Sequence, residues 1–219
     1  MADVYTDPKK DGIRFLVSAP LRLVLLFLTW LVGLAVTMLA GVLLVKMLGG
    51  RPAALMRISA MFQDMLMWIG PALATAVIVT RSPARLLCID KMPTLRQVLL
   101  AVMLLVVSAP LMSWIINLNA GMHLPAGMEQ LESALRSMEE ASASAVESML
   151  QPATAGNVLM NILIIGVFAG FSEELFVRGT MQRLLSTSHL STHAAIWITA
   201  VIFSAMHLQF FGFVPRLLL

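Results

Sequence analysis

Charged residues and cysteine are both scarce in this sequence. Asp, Glu, Lys and Arg together make up 12% of its 219 residues, about half the share that a soluble globular domain carries. The single cysteine, Cys88, excludes an internal disulfide framework. The formal net charge of +3 is small and scattered, which argues against a nucleic-acid partner. Apolar residues instead reach 59%, with a mean hydropathy of +0.87, and predict a polytopic membrane protein.

Several apolar runs have the length of about 20 residues that a helix needs to cross a bilayer. They cover residues 21–48, 53–80, 95–118, 157 to between 182 and 188, and 193–213. Pro71 removes a backbone donor inside the second run and predicts a kink there. The residues 217–219 look like the start of a further helix without a cap, so we expect the natural C-terminus to lie beyond them. The predicted fold is an all-α transmembrane helix bundle of about five complete spans plus the start of a sixth.

The loop at residues 119–156 is acidic, with five glutamates against Arg136 alone. Its apolar residues nevertheless fall on one stripe of a helix. These residues are Met128, Leu131, Leu135, Met138, Ala145 and Met149. The pattern predicts an amphipathic helix that lies on the outer surface or covers the mouth of the bundle. The chain then divides into a tail (1–20), N-terminal spans with the acidic loop (21–156) and a final group of helices (157–219).

The distribution of basic residues predicts the orientation. The tail and the loop at 81–94 are rich in lysine and arginine, which favours the cytoplasmic side. With the N-terminus inside, the bias between the two sides is about two to one. We therefore expect a multi-pass protein of the cell (inner or cytoplasmic) membrane, with a cytoplasmic N-terminus and the acidic loop outside.

Two adjacent carboxylates and an arginine lie inside the fourth apolar run: Glu173, Glu174 and Arg178. Ionisable side chains in a span cost at least about 2–3 kcal/mol each and usually mark a functional site. Glu174 and Arg178 are four residues apart and share a helix face, whereas Glu173 lies about 100° away. The spacing predicts a buried Glu174–Arg178 ion pair, whose disruption would cost about 3–5 kcal/mol. Glu173 points in another direction and is left for a different function.

A histidine, His207, lies in the fifth apolar run, and Phe203 precedes it by four residues. On a helix the phenyl ring would wall off one side of the imidazole. A lone histidine in a membrane helix is more often a packing or hydrogen-bonding residue. Together with a carboxylate one helix away, however, it forms the pairing that activates water, with the carboxylate as general base.

At these residues the sequence resembles the CPBP intramembrane proteases (CAAX protease and bacteriocin-processing), also called the Abi family. The first family motif, Glu-Glu-x-x-x-Arg, corresponds to Glu173, Glu174 and Arg178, and the second, Phe-x-x-x-His, to Phe203 and His207. A third motif, His followed four residues later by Asn or Asp, would lie beyond residue 219. The resemblance covers roughly residues 157–219, which it makes the catalytic core, incomplete at the C-terminus.

The resemblance implies an intramembrane glutamic endopeptidase that hydrolyses membrane-associated peptides or proteins. Glu173 would be the base and His207 its partner on the attacking water, with Glu174, Arg178 and Phe203 in support. The third-motif residues would stabilise the oxyanion, so we expect the 219-residue chain itself to be inactive or nearly so. The implied partners are membrane lipid and a peptide or protein substrate.

No cofactor is expected. Zinc catalysis needs three protein ligands and an open position, and one well-placed histidine makes a poor zinc site, although an older name for the family is metalloprotease. His189 and His193, four residues apart, could suggest a metal pair, but an ordinary interfacial loop is the better interpretation. Gly166 and Gly170 predict a close approach of another helix.

Two other functions remain open. A non-catalytic scaffold or bacteriocin-immunity protein of the same fold would use the Glu-Glu-Arg cluster as a structural ion-pair network. A transporter would use buried carboxylates and histidine to relay protons, but the sequence lacks a detectable internal repeat with paired broken helices.

Overall fold

The structure, a computed structural model, describes residues 13–48, 52–188 and 190–218. Most of the predicted tail, His189 and Leu219 lie outside the described residues. The described part of the chain is helical, and its β-structure is limited to an isolated bridge between Phe15 and Thr80. The all-α prediction is therefore confirmed.

Eight helices are named here in chain order within the described ranges. They are α1 (Ala19–Leu48), α2 (residues 52–79), α3 (Pro83–Leu86), α4 (Leu95–Ala120), α5 (Glu129–Leu150), α6 (Ala155–Ser186), α7 (Thr192–Met206) and α8 (Phe213–Leu218). The amphipathic helix predicted in the acidic loop is α5.

Two compact units make up the chain. The first contains residues 1–90 and 145–196, and the second contains residues 91–144 and 197–219. The three-part division expected from the sequence stays a prediction.

Within the residues that the structure describes, four helices are long and apolar enough to cross a membrane: α1, α2, α4 and α6. Their apolar side chains are widely exposed, as for Val32 and Met38 of α1, which are both 64% exposed. Such exposure suits a surface that faces lipid. The chain is thus a multi-pass membrane protein, and the helical bundle agrees with the prediction.

The fifth predicted span, residues 193–213, is interrupted in the structure. Helix α7 has 15 residues and ends at Met206. A turn follows in which Leu208 has a φ of 54°, in the left-handed region. Phe210–Gly212 then form a 3₁₀ turn before α8 begins. The apolar sequence continues through this break, so hydropathy alone could not reveal it.

Helices α1 and α2 pack closely in the first unit at Gly33. A Cβ atom there would lie 2.3 Å from Leu66 O and 2.7 Å from Pro71 Cγ, so a larger residue would force the helices apart. By contrast, a Cβ at Gly166 or Gly170 would meet no heavy atom of the described residues within 4 Å. No other helix of the described residues approaches that glycine pair, and the close approach stays a prediction.

The segment before Pro71 is a π-helix, Asp64–Ile69, in the middle of α2. Gly70 N–H bonds to Met65 O, five residues back. Because proline has no N–H to donate, the helix around it must rearrange its hydrogen bonds. The predicted distortion of the second span takes this form. Helix α6 also contains π-helical stretches, Ile162–Phe168 and Leu175–Gln182.

Two arginines tie α6 to the rest of the first unit. Arg57 of α2 donates to Asn161 Oδ1 at 3.0 Å, to Asn157 Oδ1 at 3.2 Å and to Met149 O at 2.7 Å. At the other end of α6, Arg183 donates to the carbonyls of Arg85 and Leu86, at 2.8 and 3.1 Å. Helix α6, which carries the Glu-Glu motif, is thus fixed at both ends.

The second unit is built on α4, which starts with a capping box between Thr94 and Gln97. Near its other end the buried side chain of Asn119 makes two hydrogen bonds to the chain around α8. Its Nδ2 donates to Phe210 O at 3.2 Å, and its Oδ1 accepts from Val214 N at 2.9 Å. The break after α7 is therefore held by specific polar contacts.

Candidate active site

The Glu-Glu motif lies on α6 in the first unit. Glu173 is partly buried, and two residues close to it on the helix, Ser172 and Phe176, are almost completely buried. The ring of Phe176 packs edge-on against Trp68 of α2, with centroids 5.4 Å apart. Packing against α2 therefore fixes the side of α6 next to Glu173.

Glu174 and Arg178 form an ion pair with 2.5 Å between Oε1 and Nη1. The pair is not enclosed, however, because 57% of the Glu174 side chain and 34% of the Arg178 side chain are exposed. The cost of about 3–5 kcal/mol expected for breaking an enclosed pair does not apply to it. Exposed pairs in water are worth about 0.2–1 kcal/mol.

His207 lies in the second unit, one residue after the end of α7. Its ring stands edge-on to the ring of Phe203, with centroids 4.8 Å apart, and its Nδ1 lies 2.9 Å from Phe203 O. A carbonyl oxygen only accepts hydrogen bonds, so Nδ1 carries the hydrogen and Nε2 is the acceptor nitrogen of the neutral ring. The contact between Phe203 and His207 thus sets both the orientation and the tautomer of the histidine.

The turn after His207 is held from three sides within the second unit. Ser204, fully buried, donates to Phe213 O at 2.6 Å. From α5, Glu139 accepts a hydrogen bond of 2.7 Å from Phe211 N. The guanidinium group of Arg136 stacks 3.9 Å from the centre of the Phe211 ring. The amphipathic helix therefore has a structural role next to the candidate catalytic histidine.

A cavity of about 320 Å³ lies between α5 and this turn. Its lining is almost entirely apolar and comes from both sides: Leu135, Met138, Ser204, Ala205, Leu208, Gln209, Phe210 and Phe213. Ala205 and Leu208 flank His207 in the chain. An apolar group bound there would lie next to the histidine's own turn.

The described residues contain no group of three or more His, Cys, Asp or Glu side chains that could hold a metal ion. Glu174 is already engaged with Arg178, so the donors do not fit a zinc centre of three protein ligands. A reaction without cofactor stays a prediction. Of the other predicted pair, His193 is exposed at the start of α7, and His189 lies outside the described residues.

Patterns in the sequence did not single out two polar residues of α2, Asp64 and Arg57. Asp64 is 4% exposed inside α2. The signal for Arg57 was the pair of asparagines in the fourth apolar run, Asn157 and Asn161, which share a helix face.

Comparison with known families gives one match. Residues 155–219 match the family model described as Type II CAAX prenyl endopeptidase Rce1-like. This segment contains both motifs, and the match confirms the resemblance to the CPBP family over these residues. The matched segment is less than a third of the chain. No curated protein and no solved structure shows significant similarity to the chain.

Proposed function

Because residues 155–219 match a CAAX endopeptidase family, we propose that this protein is an intramembrane endopeptidase of the glutamic type. In this proposal Glu173 is the general base and His207 its partner on the attacking water. The observation that carries it is that the matched segment holds both motifs, Glu173-Glu174-x-x-x-Arg178 and Phe203-x-x-x-His207.

The reaction assigned to these residues is the addition of water to a peptide carbonyl. Glu173 accepts a proton from the water as its oxygen bonds to the carbonyl carbon, and the same proton later passes to the leaving amine when the C–N bond breaks. The acceptor nitrogen Nε2 of His207 takes a second hydrogen bond from the water and orients it. Supporting this role, Nδ1 faces Phe203 O at 2.9 Å, so the ring is already held in one tautomer.

The remaining motif residues have supporting roles. Glu174 and Arg178 link successive turns of α6 by their ion pair, next to Glu173 in the chain. Phe203 packs against the imidazole of His207. Neither contact would take part in bond making or breaking.

We further propose that the substrate is a peptide or protein segment in or at the membrane. The apolar cavity between α5 and the turn after His207 would accept an apolar side chain of such a segment. A protein of the cytoplasmic membrane with its N-terminus inside is the proposed setting.

A non-catalytic scaffold or immunity protein of the same fold is the second candidate. The exposed ion pair between Glu174 and Arg178 is compatible with this candidate, because it would stabilise α6 equally well in a protein without activity.

The test is a cleavage assay with the full chain in lipid vesicles, on membrane-anchored peptides with and without a prenyl group. Any turnover by the wild type should be lost in Glu173→Gln and in His207→Ala. Glu147→Gln is the control, because Glu147 is an exposed carboxylate on α5 and belongs to neither motif. Equal turnover by wild type and Glu173→Gln would refute the assignment and favour the scaffold.

A further inference from the structure

The chain just before α1 is bound to the end of α2 in the first unit. Phe15 and Thr80 form an antiparallel bridge, and Leu16 N–H donates to Val79 O at 2.8 Å. Thr80 also donates its hydroxyl hydrogen to the carbonyl oxygen of Arg14 at 2.9 Å. The residues on either side of the bridge are therefore held close to one another.

Arg14 and Arg81 are the next pair of residues in the register of this bridge. Both are exposed, and like charges on opposite residues of an antiparallel pair destabilise each other. Neither arginine has an ion-pair partner within the part of the chain that the structure describes. The fold thus brings two positive charges together, here called the arginine pair, without a described carboxylate to offset them.

A third arginine, Arg22, holds the same segment in place. Its guanidinium group stacks 3.8 Å from the centre of the Phe15 ring. Its Nε donates to Val17 O at 3.1 Å, and its Nη1 donates to Thr187 Oγ1 at 3.0 Å. Arg22 lies in the first turn of α1, and Thr187 directly follows α6. The start of α1, the end of α2 and the end of α6 therefore meet at one end of the first unit, and the arginine pair lies on its surface.

This end of the first unit reaches the level of the lipid headgroups. Helix α1 has 30 residues and is about 45 Å long, whereas the hydrocarbon core of a bilayer is about 30 Å thick. Apolar side chains at the start of α1 are open to the surroundings: Leu16, Leu21 and Val24 are 51%, 44% and 50% exposed. Acyl chains of a lipid would cover these side chains, whereas a free phosphate ion would leave them in water.

We propose that Arg14 and Arg81 bind the phosphate group of an anionic phospholipid, whose acyl chains lie along the start of α1. Arginine suits this ligand because its planar guanidinium group matches two phosphate oxygens. The negative charge of the headgroup offsets the repulsion within the pair, and basic residues beside a membrane span attract anionic lipids. A zwitterionic headgroup would bring a positive charge of its own. The site takes no part in the proposed reaction, and its test needs no proteolysis.

The retention of lipid measures this site directly. The full chain is purified in micelles that contain equal amounts of phosphatidylglycerol and phosphatidylcholine, and the retained lipids are counted by native mass spectrometry. We expect the wild type to retain several-fold more phosphatidylglycerol, and this ratio to fall several-fold in the double variant Arg14→Gln/Arg81→Gln. Arg96→Gln is the matched control, because it also removes an exposed arginine at the start of a span, α4, but one outside the pair.

The substitution Arg14→Glu tests the reason for binding. It places an acid opposite Arg81, and opposite charges on such a pair attract each other. We expect Arg14→Glu to lose the preference for phosphatidylglycerol and to have a higher Tm than the wild type in phosphatidylcholine micelles. Added phosphatidylglycerol should raise the Tm of the wild type, since a ligand that binds the folded state stabilises it. It should not raise the Tm of Arg14→Glu.

An equal retention ratio in the wild type and in Arg14→Gln/Arg81→Gln would overturn the inference. So would a rise in Tm with inorganic phosphate equal to that with phosphatidylglycerol, because the ligand would then be a free anion and not a lipid. A preference for phosphatidylglycerol that persists in Arg14→Glu would also contradict it, since the pair would then not be the source of the preference.

Discussion

Glu132 organises the chain just before and within the first turns of α5. Its carboxylate accepts hydrogen bonds from Leu124 N at 2.9 Å, from Arg136 Nε at 3.0 Å and from His123 Nδ1 at 2.8 Å. The backbone hydrogen bond from Leu124, followed by those from Arg136 and His123, lowers the pKa of Glu132 from 4.5 to about 2. All of these bonds favour the ionised form.

The lowered pKa predicts how the stability of this segment depends on pH. Because the pKa of Glu132 is lower in the folded state, its contribution is fully present above pH 4.5 and is lost as the pH falls towards 2. We expect the hydrogen-exchange protection of the Leu124 amide to decrease over this window. In Glu132→Gln the decrease should disappear, whereas Glu147→Gln should keep it. Constant protection in the wild type would contradict the assignment of these hydrogen bonds.

The residues of the candidate site differ in how well they could be predicted from the sequence. Glu173, Glu174 and Arg178 were conspicuous because charges are rare in an apolar run. Arg57 is also a charge in an apolar run, but its partner Asn161 lies about 100 residues away in the chain, and only the folded structure brings them together. Asp64 was visible as a charge, but its burial depends on how α1 and α6 pack around α2. A pattern within one helix cannot supply that information.

At the scale of elements, the apolar runs predicted the long helices within a few residues. The run at 21–48 became α1 (Ala19–Leu48), and the run at 95–118 became α4 (Leu95–Ala120). Length and hydropathy suffice there because lipid-facing helices need little else. The break after α7 could not be predicted in this way. It depends on Asn119, which lies in another helix and binds the backbone on both sides of the 3₁₀ turn.

Helix α5 is predicted to support catalysis through its contacts with the turn after His207. Glu139 accepts the Phe211 N–H, whereas the neighbouring Glu140 is exposed. Glu139→Ala leaves that N–H without its charged acceptor, a loss of about 1.5–3 kcal/mol, and should loosen the turn. We expect Glu139→Ala to lower kcat in the vesicle assay and Glu140→Ala to leave it unchanged.

Arg136→Ala gives an independent measure of the same support. It removes the stacking on Phe211, together with the bonds of Arg136 to Glu132 and Met122 O, but leaves the hydrogen bond of Glu139 in place. A smaller loss than in Glu139→Ala is expected, because a cation–π contact is worth about 0.5–1 kcal/mol at exposed sites. Full activity in both variants would show that α5 does not influence the histidine.

At the scale of the whole molecule, the charges at the helix ends predict the orientation in the membrane. The described connection between α2 and α4 carries Arg81, Arg85 and Lys91. The connection between α4 and α6 carries α5, whose charges are mostly acidic. Basic residues in short connections favour the cytoplasmic side, whereas acidic residues contribute little to orientation. The two connections lie at opposite ends of α4, so a membrane-spanning α4 puts them on opposite sides.

Labelling of single cysteines tests this orientation directly. In a Cys88→Ser background, a cysteine in place of Ala141 should react with a membrane-impermeant maleimide added to intact cells, whereas one in place of Ala84 should react only after the membrane is opened. Ala141 and Ala84 are both exposed, so a difference in labelling reports the side of the membrane and not burial within the protein. The opposite pattern would place the N-terminus outside, since α1 and α2 are both long enough to span and return the chain to the side on which it began. It would then follow that the connection carrying α5 faces the cytoplasm, and the proposed setting would have to be inverted.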